Sequence, residues 1–151
     1  MRASKRRLIE AKASELLQKS KVTKAPVNVE KIANDLGIAV RRTPTEDDIS
    51  GFLVRNAGEQ PVIGVNTLHH PNRQRFTIAH ELGHFELHTN EVHVDRVIVQ
   101  LRSGESSSGE NPDEVEANRF AAELLMPADF ILRDVATLLK QGDIDFSDDK
   151  R

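Results

Sequence analysis

The sequence predicts an α+β fold, and three observations carry that prediction. Apolar positions recur at helical spacing through the first 36 residues. Three short β-prone runs broken by turn residues occupy 38–66. Helical periodicity then returns from residue 72 and again from 113. No internal repeat is present.

The elements follow in order. Residues 4–18 carry Leu8, Ile9, Ala11, Ala13, Leu16 and Leu17 at helical spacing, and Lys19-Ser20-Lys21 closes that helix. Pro26 sets up a second start, with Asn28 as N-cap, Val29, Ile32, Ala33 and Leu36 on one face and Gly37 as the stop. The runs 38–42, 51–55 and 62–66 are separated by Thr43-Pro44, Asn56-Ala57-Gly58 and Pro61, which predicts a small three-stranded sheet. A long helix is expected over 72–87, with Pro71 near its first turn. Residues 91–101 alternate loosely through Val92, Val94, Val97, Val99 and Leu101, as a strand or an extended loop does. The polar run 103–113 reads as a loop or a partly disordered lid. From Asp113 the helical period returns with Val115, Phe120, Ala121, Leu124 and Leu125 and ends at Pro127. A last helix over 128–140 is expected to pack Phe130, Ile131, Val135, Leu138 and Leu139.

Composition narrows the function. The 151 residues suit one domain with a single core, and 38% apolar against 30% charged residues is an ordinary soluble balance. The longest stretch without polar side chains, Leu36-Gly37-Ile38-Ala39-Val40, falls far short of the ~18 residues that cross a bilayer. No apolar segment follows the basic N-terminus as in a secretory signal. Zero cysteines exclude disulfides, thiolate ligands and a Cys nucleophile, and fit a cytoplasmic protein. With no Trp or Tyr, six Phe alone would have to stack the bases of a single-stranded nucleic acid, which argues against that class. The net charge of −3 hides a basic head: residues 1–24 hold eight Lys/Arg against Glu10 and Glu15. Such a stretch steers toward acidic partners or simply forms the solvated face of an amphipathic helix. The organisation expected is a basic N-terminal helix or arm (1–24), a main domain (25–142) and an acidic flexible tail (143–151).

The informative residues are His80-Glu81-Leu82-Gly83-His84. Histidines at i and i+4 stand one above the other, about 40° apart on a helix, within reach of a single ion. Neutral imidazoles suit Zn²⁺. Glu81, about 100° round from His80, flanks the ion without ligating it and is placed to take a proton from its water. A third ligand is required. His88 shares the face but lies about 12 Å along the axis from His80 if the helix continues. Glu114 or Glu116, opening the next helix, could cross to the histidines, and spacing alone does not choose between them. The oxyanion of a metal-assisted hydrolysis needs a donor that cannot be Tyr here, and His88, His93, Arg75 and Arg119 lie near the motifs. Both arginines could equally form structural salt bridges. Asn118 or Asp113 could orient a ligand imidazole, although Asp113 reads first as a helix cap.

Two blocks carry a resemblance. Arg75-Phe76-Thr77-Ile78-Ala79-His80-Glu81-Leu82-Gly83-His84, followed by Glu116-Ala117-Asn118-Arg119-Phe120-Ala121-Ala122-Glu123-Leu124-Leu125-Met126-Pro127, resembles the ImmA/IrrE family of zinc metallo-endopeptidases. The likeness spans about residues 25–140, to a short form with no appended sensor domain. It implies a zincin-like metallopeptidase domain of gluzincin type over 25–142. His80, His84 and Glu116 would ligate one Zn²⁺, with Glu81 as catalytic base; the carboxylate directly before Ala-Asn in the family pattern selects Glu116. Members typically cleave a helix-turn-helix repressor, which is the partner this resemblance implies. Two other functions compete. A non-catalytic, zinc-stabilised binding module would close its metal site with a fourth protein ligand and has no use for Glu81. A DNA-binding protein would use residues 29–38 as the first half of a helix-turn-helix, but β-prone 38–42 and Pro44 stand where the recognition helix should be.

Overall fold

The computed structural model describes residues 1–46, 48–96 and 111–141. The tail expected over 143–151 and most of the polar run 103–113 lie outside the described residues. Within them the chain order is α1 (Ala3–Lys19), α2 (Val29–Asp35), β1 (Ala39–Thr43), β2 (Ile49–Val54), β3 (Val62–Asn66), α3 (Pro71–Leu87), β4 (Val92–Arg96), α4 (Pro112–Leu125) and α5 (Ala128–Gln141). The fold is α+β, but its sheet has four strands where the sequence predicts three. Their order is β1-β3-β2-β4, with β1 parallel to β3 and the other pairs antiparallel. The fourth strand comes from the segment whose alternation leaves strand or loop open. That alternation is inverted: Val92 and Val94 are exposed, whereas His93 and Asp95 turn inward.

The N-terminal helix does not stand apart as an arm. α1 buries Ile9, Ala13, Leu16 and Leu17 in the common core and packs on α4, while Lys5, Arg6, Arg7 and Lys19 stay in water. Its basic residues are thus the solvated face of an amphipathic helix. Arg119 on α4 reaches back to Glu10, Nη2 to Oε1, at 2.5 Å. In α2 the side chain of Asn28 accepts from the Lys31 N–H at 3.1 Å. Gly37, at φ +80°, takes the left-handed conformation just past the helix end.

α3 is the central element. His70 caps it, Nδ1 accepting from the Asn72 N–H at 3.1 Å, and Pro71 opens the first turn. Thr77 through His84 are all buried, because α2, β2, β3 and α4 surround that stretch. A helix enclosed on all sides shows little amphipathic period, yet this one carries two histidines and a glutamate in its buried middle. Its C-terminal carbonyls are held by Arg55, just past β2, which donates to His84 O at 3.1 Å, Phe85 O at 2.8 Å and Asn90 O at 2.8 Å, and also to His88 O. These include carbonyls a helix leaves without a partner at its end.

α3 and α4 cross at Gly83. A Cβ there would lie 3.0 Å from Ala117 Cα, 3.1 Å from Ala117 O and 3.2 Å from Phe120 Cβ. The missing side chain lets the two backbones approach closely, so the start of α4 is brought to the histidine face. α5 departs from expectation. Its apolar stripe is present, but Ile131, Leu132, Val135, Leu138 and Leu139 are exposed and only Phe130 leans on the core. No described element packs over that stripe. Among the described residues no helix is long and apolar enough to cross a membrane.

Candidate metal centre

Four side chains from three elements converge. His80 and His84 descend from successive turns of α3, and their Nε2 atoms lie 3.1 Å apart. Glu114, in the first turn of α4, places Oε2 3.1 Å from His80 Nε2 and Oε1 3.0 Å from His84 Nε2. His93 arrives from β4 with Nε2 2.6 Å from Glu114 Oε1. A tetrahedral zinc shell with bonds of about 2.0–2.1 Å sets neighbouring donors about 3.3 Å apart, so the separations among His80, His84 and Glu114 suit a divalent ion, whereas the shorter contact from His93 to Glu114 is that of a hydrogen bond. The donor set of imidazole nitrogens and carboxylate oxygen is one that Zn²⁺ accepts. His80, His84, His93 and Glu114 offer donor atoms all within 4.8 Å of one another.

Glu81 is fully buried beside this group. His93 bridges the two carboxylates: its Nδ1 lies 3.1 Å from Glu81 Oε2 while its Nε2 faces Glu114. A buried carboxylate without such a partner would be costly. Asp95 contributes a further carboxylate, 4.0 Å from His80 Nε2.

The structure brings together His80, His84 and Glu81 as the sequence reading has them. It does not bring Glu116 to them. Positions 114 and 116 are about 200° apart round α4, so only one can face α3 at this crossing. Glu114 does. Glu116 instead meets His88, Oε1 to Nε2 at 3.1 Å, and Lys5 of α1 at 3.5 Å. His88 is too far along α3 to share the centre, but its ring touches that of His84, Nδ1 to Nδ1 at 3.0 Å. Asp113 is not the cap of α4. Asn111 is, its side chain accepting from the Asp113 N–H at 2.8 Å, and Asp113 Oδ1 lies 3.4 Å from His88 Nε2. Of the candidate oxyanion donors, Arg119 is taken up by Glu10 and Arg75 by the Val27 carbonyl at 2.8 Å, which leaves His93 nearest the group.

The sequence model of the IrrE N-terminal-like domain, peptidase M78, matches residues 33–143. The chain belongs to the peptidase M78, IrrE N-terminal-like family. The match takes in every residue of the convergent group and leaves α1 outside it. A comparison with curated proteins returns no match to this chain.

Within this M78 domain the clustered carboxylates and imidazoles shift one another's pKa values. Burial opposes the charge of His93, but hydrogen bonds to Glu114 and Glu81, with their charges, raise its pKa to about 10. His80 is raised too: burial works against it, and Glu114, Asp95 and Glu81 outweigh burial. Burial also opposes ionisation of Glu114, yet hydrogen bonds to His80, His84 and His93 hold it well below the usual carboxylate range. Asp95 is pushed up by burial.

With its pKa raised from 6.5 to about 10, His93 contributes stabilisation that is complete below pH 6.5 and lost as pH rises through about 10. Glu114, depressed from 4.5, contributes stabilisation present above 4.5 and lost as pH falls. The chelated protein is therefore expected to melt at progressively lower temperature from about pH 6.5 toward pH 10. Zinc displaces protons from imidazole, so its addition should flatten that slope. Scanning calorimetry at about pH 6, 8 and 9.5, with chelator and with zinc, checks this. A chelated protein with no alkaline slope would contradict the ionisation pattern.

Proposed function

We propose that this chain is a zinc-dependent endopeptidase of the cytoplasm that cleaves a regulatory protein of the helix-turn-helix repressor class. The observation that carries the catalytic part is the convergence of His80, His84 and Glu114 beside the buried carboxylate of Glu81. The repressor substrate rests on the family resemblance. In this reading His80, His84 and Glu114 hold the ion, which when bound supplies Lewis-acid polarisation of a carbonyl and a water of lowered pKa.

The remaining work falls to the chain's own residues. Glu81 takes the proton from the attacking water at its carboxylate and passes it to the departing amine. Its burial within α3 fixes that carboxylate in one place. His93 Nδ1 donates to the Glu81 carboxylate and orients it, while its Nε2 is engaged by Glu114. β4 is an edge strand in the described sheet and carries His93 and Asp95, so an extended peptide pairing along it would pass the centre.

One observation favours a second reading. If His93 joined His80, His84 and Glu114 as a fourth ligand, the shell would be closed, as in a structural zinc site, and the protein would be a zinc-stabilised binding module. The two readings separate experimentally. Zinc-loaded protein is incubated with a denatured peptide library and the products are read by mass spectrometry, while cobalt-substituted protein is examined by absorption spectroscopy. The endopeptidase reading expects cleavage that chelator abolishes and zinc restores, with a cobalt spectrum that responds to added anions. No cleavage, with a cobalt spectrum indifferent to anions, would overturn it in favour of the binding module.

A further inference from the structure

His88 and Glu116 stand outside the donor group, and neither is used in the chemistry above. They are nonetheless tied to it by a continuous run of contacts. Glu116 Oε1 lies 3.1 Å from His88 Nε2, and His88 Nδ1 lies 3.0 Å from His84 Nδ1. His84 Nε2 faces Glu114 Oε1 at 3.0 Å. Asp113 Oδ1 approaches the same His88 nitrogen at 3.4 Å, and Lys5 Nζ approaches Glu116 Oε1 at 3.5 Å. Four elements or their ends meet here: α1 through Lys5, α3 through His84, its C-cap His88, and α4 through Asp113 and Glu116.

His84 Nε2 faces the Glu114 carboxylate and donates to it unless an ion takes that nitrogen; with the ion bound, proton placement along this run has one self-consistent solution for neutral rings. His88 Nε2 faces two carboxylate oxygens, which only accept, so it must carry the hydrogen. A neutral His88 then has a bare Nδ1, which can only accept. The His84 nitrogen opposite must therefore be the donor, Nδ1–H, and His84 Nε2 is left bare. A bare Nε2 is the state a metal ligand requires. The other tautomer of His84 would place two acceptor nitrogens, or two hydrogens, face to face at 3.0 Å.

We infer that Glu116 and His88 form a positioning relay that fixes His84 in its metal-binding tautomer and holds its ring in line. This inference rests on the metal-centre reading above. His80 has no comparable support: its Nδ1 is buried with no hydrogen-bond partner among the described residues. The relay acts through His84 alone. Glu116 touches neither the donor group nor any reacting atom and works only by way of His88. Lys5 balances the carboxylate, which ties the relay to α1.

The test combines zinc affinity with a direct view of the His84–His88 hydrogen bond. Zinc dissociation constants are measured by competition with a chromophoric chelator for wild type, H88A, E116A, E116Q and the double variant H88A/E116A. The hydrogen on His84 Nδ1 and its exchange with water are followed in the zinc-loaded proteins by ¹H–¹⁵N correlation, and circular dichroism verifies folding. H88A is expected to bind zinc about 10–100-fold more weakly, the usual effect of losing such a partner. E116A should fall in the same direction by a smaller factor. E116Q should stay near wild type, because the amide oxygen still accepts from His88. The double variant should be no weaker than H88A, since one residue acts through the other. The His84 Nδ1–H should exchange slowly with water in wild type and E116Q, and faster in H88A and E116A.

Unchanged affinity and Nδ1–H exchange in H88A and E116A would overturn the relay while leaving the metal centre intact. Additive losses in the double variant would overturn it as well. Two zinc ions per wild-type chain, falling to one in H88A, would replace the relay with a second metal site at His88, Asp113 and Glu116. A wild type that binds no zinc would overturn the metal-centre reading itself, and the relay with it.

Discussion

Replacing Glu81 by glutamine is expected to leave zinc content at the wild-type level and to slow peptide hydrolysis by about 10²–10⁴-fold, the usual contribution of a general base. Glutamine keeps the shape of a side chain that is fully buried, so packing around the middle of α3 should survive. Its amide oxygen can still accept from His93 Nδ1, which lies 3.1 Å from the carboxylate in the native protein. What disappears is a basic oxygen able to accept a proton from water. Glu81 lies outside the group of His80, His84, His93 and Glu114, so the ion should remain. Elemental analysis and the peptide-library assay, run on the same preparations, read the two effects separately. Protein concentration must come from amino-acid analysis, because a chain without Trp or Tyr absorbs almost nothing at 280 nm. Wild-type hydrolysis in this variant would remove Glu81 from the chemistry. Loss of zinc would make it a ligand.

Glu81 was legible because its neighbours are. A histidine pair at i and i+4 with an intervening glutamate needs only helical geometry to be interpreted, and the structure supplies that helix over Pro71–Leu87. The same holds for Asn28 and Gly37, whose local roles as cap and stop depend on no distant contact. β4 was not legible for a physical reason. Strand alternation assumes that apolar residues face inward, and here Val92 and Val94 face out because the inner face is reserved for His93 and Asp95. A polar-inward strand is visible only once the polar centre it faces is known. The exposed stripe of α5 shows the converse: an amphipathic pattern shows that one face is apolar, not that an element in the same chain covers it.

The carboxylate that meets the two histidines was hidden by helix phase. Glu114 and Glu116 both sit near the start of α4, and the sequence does not state which face of α4 meets α3. The clue was Gly83. A glycine in the middle of a buried helix marks a close crossing, and the structure seats Ala117 against it. Glu114, three positions before Ala117, shares that face, whereas Glu116 lies about 100° round from Ala117. The family pattern nevertheless selects Glu116, so geometry and resemblance make opposite predictions about the same two side chains.

That disagreement can be resolved with two variants and one measurement. Glu114→Ala is expected to empty the centre, because it removes the only carboxylate among the described residues that touches both His80 and His84, at 3.1 and 3.0 Å. Binding energies of about 10–16 kcal/mol for four-ligand zinc sites correspond to roughly 3 kcal/mol per ligand. Losing one should therefore weaken zinc by a factor on the order of 10² or more. The variant also strips His80 and His93 of their main hydrogen-bonding anion, so the pKa of each should fall toward the ordinary 6.5. Glu116→Ala leaves all four converging donors in place and should retain zinc after dialysis, weakened only to the extent that His84 loses its support. Zinc per chain after dialysis against a weak chelator separates the cases. If Glu116→Ala empties the centre and Glu114→Ala keeps its zinc, the ligand is the carboxylate of the family pattern. α4 would then have to present the face that here meets His88 and Lys5, and the Gly83–Ala117 crossing would have to be rotated with it.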